Sequence, residues 1–200
     1  MGLRLEYPPG ATPLDPDDAA GLIPAHITTQ GQLNEWEYAN ISRGEAWAFG
    51  RKHKEILSID FMQTLHKNMF GDTWTWAGKI RTKETLPVGV APEKIRPELH
   101  NLVDDVAAQL QDRAWVISEI AARLHHRLVQ IHPFPNGNGR FSRTMTDVLL
   151  AQTGNDRFTW GANLNHAGEA RERYIAALQL ADRRDYSALF ELLNVTPARQ

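Results

Sequence analysis

Cysteine is absent from the 200 residues, which excludes disulfides, thiolate metal sites and thiol nucleophiles. An excess of one charge sign is missing too. Lys and Arg number 22 against 24 Asp and Glu, a formal net charge of -2, so bulk electrostatics gives no reason to expect nucleic acid as the main partner. No apolar run approaches the roughly 18 residues of a membrane span. Met1-Gly2-Leu3-Arg4 lacks the charged and apolar blocks of a signal peptide. These absences set the expectation of a soluble cytoplasmic protein with neither nucleic acid nor membrane as a direct partner. What is present is ordinary: 42% hydrophobic and 23% charged residues, enough for one globular domain.

Pro8, Pro9, Gly10, Pro13, Pro16 and Pro24 argue against a helix in the first thirty residues. Residues 1–30 therefore read as an extended arm ahead of a domain at 31–200. A helix is expected over 33–54 with Trp36, Ala39, Ala46 and Trp47 as its apolar residues, although Gly44 weakens its middle. Ser58 is placed to cap the next helix, in which Phe61, Leu65 and Met69 recur every four residues until Gly71. In residues 82–90, Leu86, Val88 and Val90 alternate with Pro87 and Gly89, the pattern of a short exposed hairpin. Helical spacing returns at Leu99, Leu102, Val103, Val106 and Leu110, after Ser118, after Asn138 as far as Gly154, and over 167–181 and 186–193. The expected fold class is an all-α bundle with one small β-hairpin.

The chemistry concentrates in His132-Pro133-Phe134-Pro135-Asn136-Gly137-Asn138-Gly139-Arg140-Phe141-Ser142-Arg143. A residue before proline is pushed out of right-handed helical geometry, so His132 belongs at a helix end or in a loop. Gly137 and Gly139 bracket Asn138, permit positive φ and leave main-chain N–H groups uncovered. The following helix aims its unpaired N–H groups and its positive end at the same loop, and Arg140 and Arg143 lie in its first two turns. This is an anion site suited to a polyphosphate. A neutral His132 beside it can take a proton from an attacking hydroxyl. Glycine–asparagine turns before helices are common, and the loop alone leaves a purely structural reading open.

The segment resembles the Fic motif, H-x-F-x-[D/E]-G-N-G-R-x-x-R, matching every specified position except that Asn136 replaces the acidic residue. Trp76-Ala77-Gly78-Lys79-Ile80-Arg81 is similar to the element preceding the family's flap, and Tyr174 to Leu178 to its later Y-x-x-A-L element. The likeness covers roughly residues 60–190. Leu33-Asn34-Glu35-Trp36-Glu37 and Trp47-Ala48-Phe49 most resemble the Fic subgroup called mobile mystery protein B.

The resemblance implies a Fic-type helical bundle with a β-hairpin flap beside the active-site loop. It also implies an enzyme that moves AMP from ATP to a hydroxyl side chain of a target protein, as a toxin or signalling modifier. His132 takes the place of the base. Gly137, Asn138 and Gly139 would hold the α- and β-phosphates, with the Asn138 side chain helping. Arg140 would neutralise phosphate charge, and Arg143 would reach the γ-phosphate. The flap, with Leu86, Pro87, Val88 and Gly89 at its tip, would pair with an extended target segment. Family members bind Mg²⁺ through the acidic residue; Asn136 offers only a neutral carbonyl oxygen, a weaker ligand. Fic proteins are typically restrained by a glutamate set against the second motif arginine. Glu37 is the nearest candidate for that contact with Arg143; an ordinary solvated helix glutamate is the alternative, with restraint then left to a separate antitoxin protein. Two other functions stay open: a nucleotide-binding toxin–antitoxin interaction module whose chemistry Asn136 has weakened, and phosphotransfer by the same site. Lysine in place of the second motif glycine marks the phosphotransferring branch; Gly139 here favours nucleotidyl transfer. His125 and His126 point about 100° apart on a helix and are not expected to share an ion with His132; one should pack inward and the other be partly exposed. Trp74, Trp76 and Trp160 read as core more readily than as base-stacking residues.

Overall fold

Periodicity of the apolar residues decides which helices lie at the centre. The computed structural model describes residues 13–85, 88–113, 115–160 and 168–197, and among these it contains eight helices. In α3 (Ile59–Phe70) two rows, Phe61/Leu65/Met69 and Met62/His66/Phe70, are buried, so the helix is sandwiched between neighbours. α5 (Ile117–Ile131) buries Ile120, Ala121, Leu124, Leu128 and Ile131, and α6 (Asn138–Gln152) is buried almost all round. Polar residues within α6 are satisfied by back-bonding: Ser142 Oγ donates to Asn138 O at 2.7 Å and Thr146 Oγ1 to Ser142 O at 2.8 Å. α2 (Gln30–Phe49) packs on α3, α4 (Pro92–Asp112) on α5, and α3 on α6. α7 (Glu169–Ala181) and α8 (Ser187–Leu192) pack together as a smaller cluster against α5, around Tyr174, Leu178, Leu189 and Phe190.

The all-α expectation is met, with differences at the edges. α1 (Pro16–Ala19) is a single helical turn inside the stretch read as helix-free; Pro16 occupies its first position, where a missing N–H costs nothing, and Asp15 caps it. Past α1 the chain runs along the loop after α3: Leu22 and Trp74 form an isolated antiparallel bridge, and Thr75 N–H donates to Gly21 O at 2.9 Å. α2 starts earlier than expected because Thr29 and Gln32 form a capping box, and it ends at Phe49 rather than near residue 54. The described residues of 82–90 contain no strand, so the expected hairpin is not seen there; Leu86 and Pro87 lie outside the described residues.

Gly44 sits mid-helix for a packing reason. A Cβ there would lie 2.7 Å from Met69 Cα and 2.8 Å from Met69 N, so α2 and α3 approach more closely than any side chain permits. In an exposed helix Gly→Ala is stabilising by up to about 1 kcal/mol. Here Gly44→Ala is expected to destabilise the fold by about 1–3 kcal/mol, the cost of overpacking. Chemical denaturation checks this, and an increase in stability would contradict the close contact.

Candidate active site

The α5–loop–α6 turn places the candidate chemistry. His132 is the C-cap of α5 with φ 55° and ψ 61°, while its N–H still bonds Leu128 O at 3.1 Å. The proline after it disfavours another right-handed residue and so ends the helix at His132, which takes a left-handed conformation rather than the extended one usual before proline. That conformation costs on the order of 1 kcal/mol for a residue with a side chain. The His132 carbonyl is held by Arg81 Nε at 2.6 Å.

Every turn of the loop is braced from inside. Phe134 is buried, stacked on His66 with ring centroids 3.8 Å apart and edge-on to Phe141 at 4.9 Å. Asn138 Oδ1 accepts from Phe134 N–H at 2.9 Å and its Nδ2 donates to Phe134 O at 2.8 Å. His66 Nδ1 accepts from Gly78 N–H at 3.0 Å, so the ring proton sits on Nε2, which meets Asn136 O at 3.1 Å. Gly137, at φ 76°, has no room for a side chain: a Cβ would lie 2.7 Å from the Phe70 ring.

α6 begins without a side-chain cap. Its first intrahelical bond is Phe141 N–H to Gly137 O at 2.9 Å, which leaves the amides of Asn138, Gly139 and Arg140 outside the helix ladder at its positive end. A Cβ built on Gly139 meets nothing closer than Arg143 Nη1 at 3.8 Å, so this face of the first turn is open. Two expectations change here. The Asn138 side chain is turned inward, with both its ends on Phe134, and only its main-chain N–H faces the anion site. The Gly137 N–H is already taken by Asn136 Oδ1 at 2.6 Å.

The arginines differ in surroundings. Arg140 Nη1 pairs with Glu37 Oε2 at 2.6 Å, and its guanidinium lies 4.9 Å from the centre of the Phe70 ring. Glu37 Oε1 accepts from Trp74 Nε1 at 2.8 Å. Glu37 therefore faces the first motif arginine, not Arg143 as the sequence suggested; α2 delivers it to the first turn of α6. Arg143 is directed instead towards the buried Tyr174 hydroxyl, which also meets His125 Nε2 at 2.8 Å.

Residues 56–150 match the Fic/DOC family. This stretch of the chain is similar to a Fic domain. Among curated proteins it is 36% identical over 112 residues to protein adenylyltransferase fic-1 of Caenorhabditis briggsae, covering 52% of this chain and 21% of that protein. It is 28% identical over 150 residues to the probable protein adenylyltransferase y4lH of Sinorhizobium fredii, covering 65% of this chain and 70% of that one. The chain thus spans about a fifth of the length of the nematode relative. The fold is similar to that of the N-terminal Fic domain, with bound ADP, of a cell filamentation protein from Bartonella quintana: TM-score 0.68 at 19% identity, covering 88% of this chain and 89% of that one.

Around the Fic motif, the segment read as a flap is docked at both ends beside His132. Arg81 N–H donates to Pro133 O at 3.0 Å and Val90 N–H to Ile131 O at 3.3 Å. Gly89 has φ 100° and Val88 is 41% exposed. No group of three or more His, Asp or Glu able to hold a metal ion occurs among the described residues. Asn136, the one candidate ligand, brings a neutral oxygen that already accepts from Gly137 N–H. Among the described residues, the chain's own donors therefore make no complete Mg²⁺ site. No helix of the structure is long and apolar enough to cross a membrane.

Residues that the sequence left without a role at the loop include His66 and Phe70 of α3, both buried around it, while Arg81, also buried there, was read only as the end of the quoted Trp76–Arg81 element. Both His125 and His126 are buried, so neither is the partly exposed one expected: His126 meets Asp182 Oδ1 at 2.9 Å and the Tyr186 hydroxyl at 3.1 Å. Trp74 and Trp76 are core, stacked at 5.2 Å, and Trp160 donates to Asp147 Oδ2 at 2.9 Å. His26 and His53 lie edge-on or tilted against tryptophans.

Burial holds the key histidines neutral. It lowers His132 to about 4, with the Arg81 cation adding to the effect and a Val129 main-chain hydrogen bond opposing it. His66 and His125 fall to about 3, again chiefly through burial, with Arg140 and Arg143 respectively as neighbouring cations. Each of the three takes up a proton near 6.5 when unfolded, so the unfolded chain binds more protons between about 4 and 6.5 and stability is lost as pH falls through that window. Asp147, raised to about 6 mainly by burial, opposes with one proton. The net expectation is a melting temperature that declines from pH 7 to pH 4.5, each fully coupled histidine contributing up to about 1.4 kcal/mol per pH unit. Scanning fluorimetry across that range checks it; a flat or rising profile would contradict the neutral burial.

Proposed function

We propose that this chain is a protein adenylyltransferase that transfers AMP from ATP to a hydroxyl side chain of a target protein. The observation that carries the reading is the juxtaposition of a neutral His132 with the open, uncapped N-terminus of α6 and with Arg140 in its first turn. The triphosphate lies across the amides of Asn138, Gly139 and Arg140, with Arg140 neutralising charge and Arg143 turning from Tyr174 to reach the far phosphate. The target hydroxyl oxygen attacks the α-phosphorus while His132 accepts its proton. The bond from the α-phosphorus to the bridging oxygen breaks, and pyrophosphate leaves with that electron pair. The flap segment, with Leu86, Pro87, Val88 and Gly89, binds an extended stretch of target as a hairpin edge would, presenting its hydroxyl. Asn136 could offer a bound Mg²⁺ only one weak neutral oxygen, so the nucleotide phosphates would have to hold the ion, which would supply charge neutralisation there.

Glu37 is the restraint in this reading. Its carboxylate occupies Arg140, one of the groups the phosphates need, so binding of ATP must displace it. The protein acts in the cytoplasm as a toxin or signalling modifier, and an antitoxin protein would supplement Glu37. The mobile mystery protein B likeness of residues 33–49, which include Glu37, supports that setting. A second reading, a nucleotide-binding toxin–antitoxin module with weakened chemistry, is favoured by one observation, the neutral Asn136 in the acidic position. Phosphotransfer is the least favoured, because Gly139 keeps the glycine of the nucleotidyl-transferring pattern.

Incubation with ATP labelled at the α- or the γ-phosphate, with a cell lysate as target, tests the reading. Label from the α-position is expected on protein, falling on the order of 10²–10⁴-fold in His132→Ala, the usual contribution of a general base. Transfer of γ-label alone would mean phosphotransfer. Neither label, with ATP still bound, would favour the binding module.

A further inference from the structure

Arg81 is 4% exposed, and burial lowers its pKa from the usual arginine value, yet its hydrogen bonds run to main-chain carbonyls rather than to a carboxylate. Nε donates to His132 O at 2.6 Å, Nη1 to Lys83 O at 2.8 Å, and Nη2 to Val90 O and to Ile131 O, the latter at 3.4 Å. These four acceptors fall into two pairs. Ile131 and His132 are the last residues before the motif loop. Lys83 and Val90 are the two ends of the segment that carries the flap residues. The rigid fork of a guanidinium, with donors fixed in one plane, sets the distance between such acceptors in a way that a flexible lysine ammonium does not. The same segment is tied on either side of His132 by its own main chain, through Arg81 N–H to Pro133 O and Val90 N–H to Ile131 O. Gly89 closes the arrangement: at φ 100°, a Cβ on it would lie 2.6 Å from Arg81 Nη2 and 3.0 Å from His132 Cβ.

We propose that Arg81 is a positioning residue that fixes the flap segment in register with the His132 base, so that target hydroxyl and base meet at one distance. The inference rests on the transferase reading for its consequence, and on geometry alone for the joint itself. None of the hydrogen-bond partners of Arg81 lies in the amide run at residues 138–140, where the phosphates are proposed to bind. Loss of the fork therefore leaves the phosphate site intact and loosens the relation between flap and base. A misplacement of about 1 Å at a reacting centre costs on the order of 10²-fold in rate.

The test compares wild type with Arg81→Gln, Arg81→Lys and Gly89→Ala in two independent assays. Hydrogen exchange, which needs no activity, is expected to show the Val90 amide and its neighbours in residues 82–90 exchanging at least about tenfold faster in Arg81→Gln, while α5 and α6 keep their protection. In transfer assays, kcat is expected to fall on the order of 10²-fold and KM for target to rise, with the Kd for a non-hydrolysable ATP analogue unchanged. Arg81→Lys, which keeps the charge without the fork, should resemble Arg81→Gln. Gly89→Ala, which retains Arg81 but crowds it, should reproduce the selective loss even if the arginine variants fold poorly. Unchanged exchange in residues 82–90, full activity in Arg81→Lys, or a fall in nucleotide affinity parallel to that in kcat would each overturn the proposal. A wild type that transfers nothing would refute the transferase reading, while the exchange experiment still decides the joint.

Discussion

Two long buried helices, α5 and α6, meet through a short loop whose main-chain polar groups are shut away from water, and the rest of the site follows from how those groups are satisfied. An unpaired buried N–H or C=O costs about 1–3 kcal/mol, so the loop has no tolerable shape except one in which each group finds a partner. Asn138 closes on Phe134, His66 spans from Gly78 to Asn136, and Arg81 takes the carbonyl of His132. What is left without an internal partner in the helix ladder is the open first turn of α6. The groups proposed to bind an anion are thus those that the folding constraint leaves over.

Electrostatics completes the arrangement. The proposed phosphate site concentrates positive charge, from the end of α6 and from Arg140, and that charge needs a counter-ion. Glu37 supplies it at 2.6 Å, held in place by Trp74. The side chains of Arg140 and Glu37 are 32% and 12% exposed, so the pair is partly shielded from solvent and more costly to break than a surface salt bridge. His132, kept neutral by burial, leaves the proton-accepting role open at ordinary pH.

Much of this was legible in the sequence, for identifiable reasons. Ser58 and Gly71 bound a helix by capping chemistry that acts within four residues, and the turn at residues 132–139 is written in its prolines and glycines. The open, uncapped first turn of α6 could be read from glycine spacing. Contacts made across the fold were not legible. Nothing local says that Glu37 meets Arg140 rather than Arg143, because the choice depends on how α2 lies across α6. Nor does the sequence say that the Asn138 side chain turns inward, or that Arg81 joins two segments 50 residues apart or so, since such roles are defined by distant carbonyls. Gly44 looked like a weakness in α2 until the approach of Met69 explained it. The single turn at Pro16 was missed because Pro8, Pro9, Gly10, Pro13 and Pro24 outweighed one favourable N-terminal position.

The central claim is that Arg140 is shared between Glu37 and the phosphates of a nucleotide. Calorimetric titration of a non-hydrolysable ATP analogue into wild type and Glu37→Gly tests it most directly. Removing the competing carboxylate is predicted to tighten binding on the order of tenfold, equivalent to about 1.4 kcal/mol, and an additional Arg140→Ala change should abolish the gain. Equal or weaker binding by Glu37→Gly would contradict the claim.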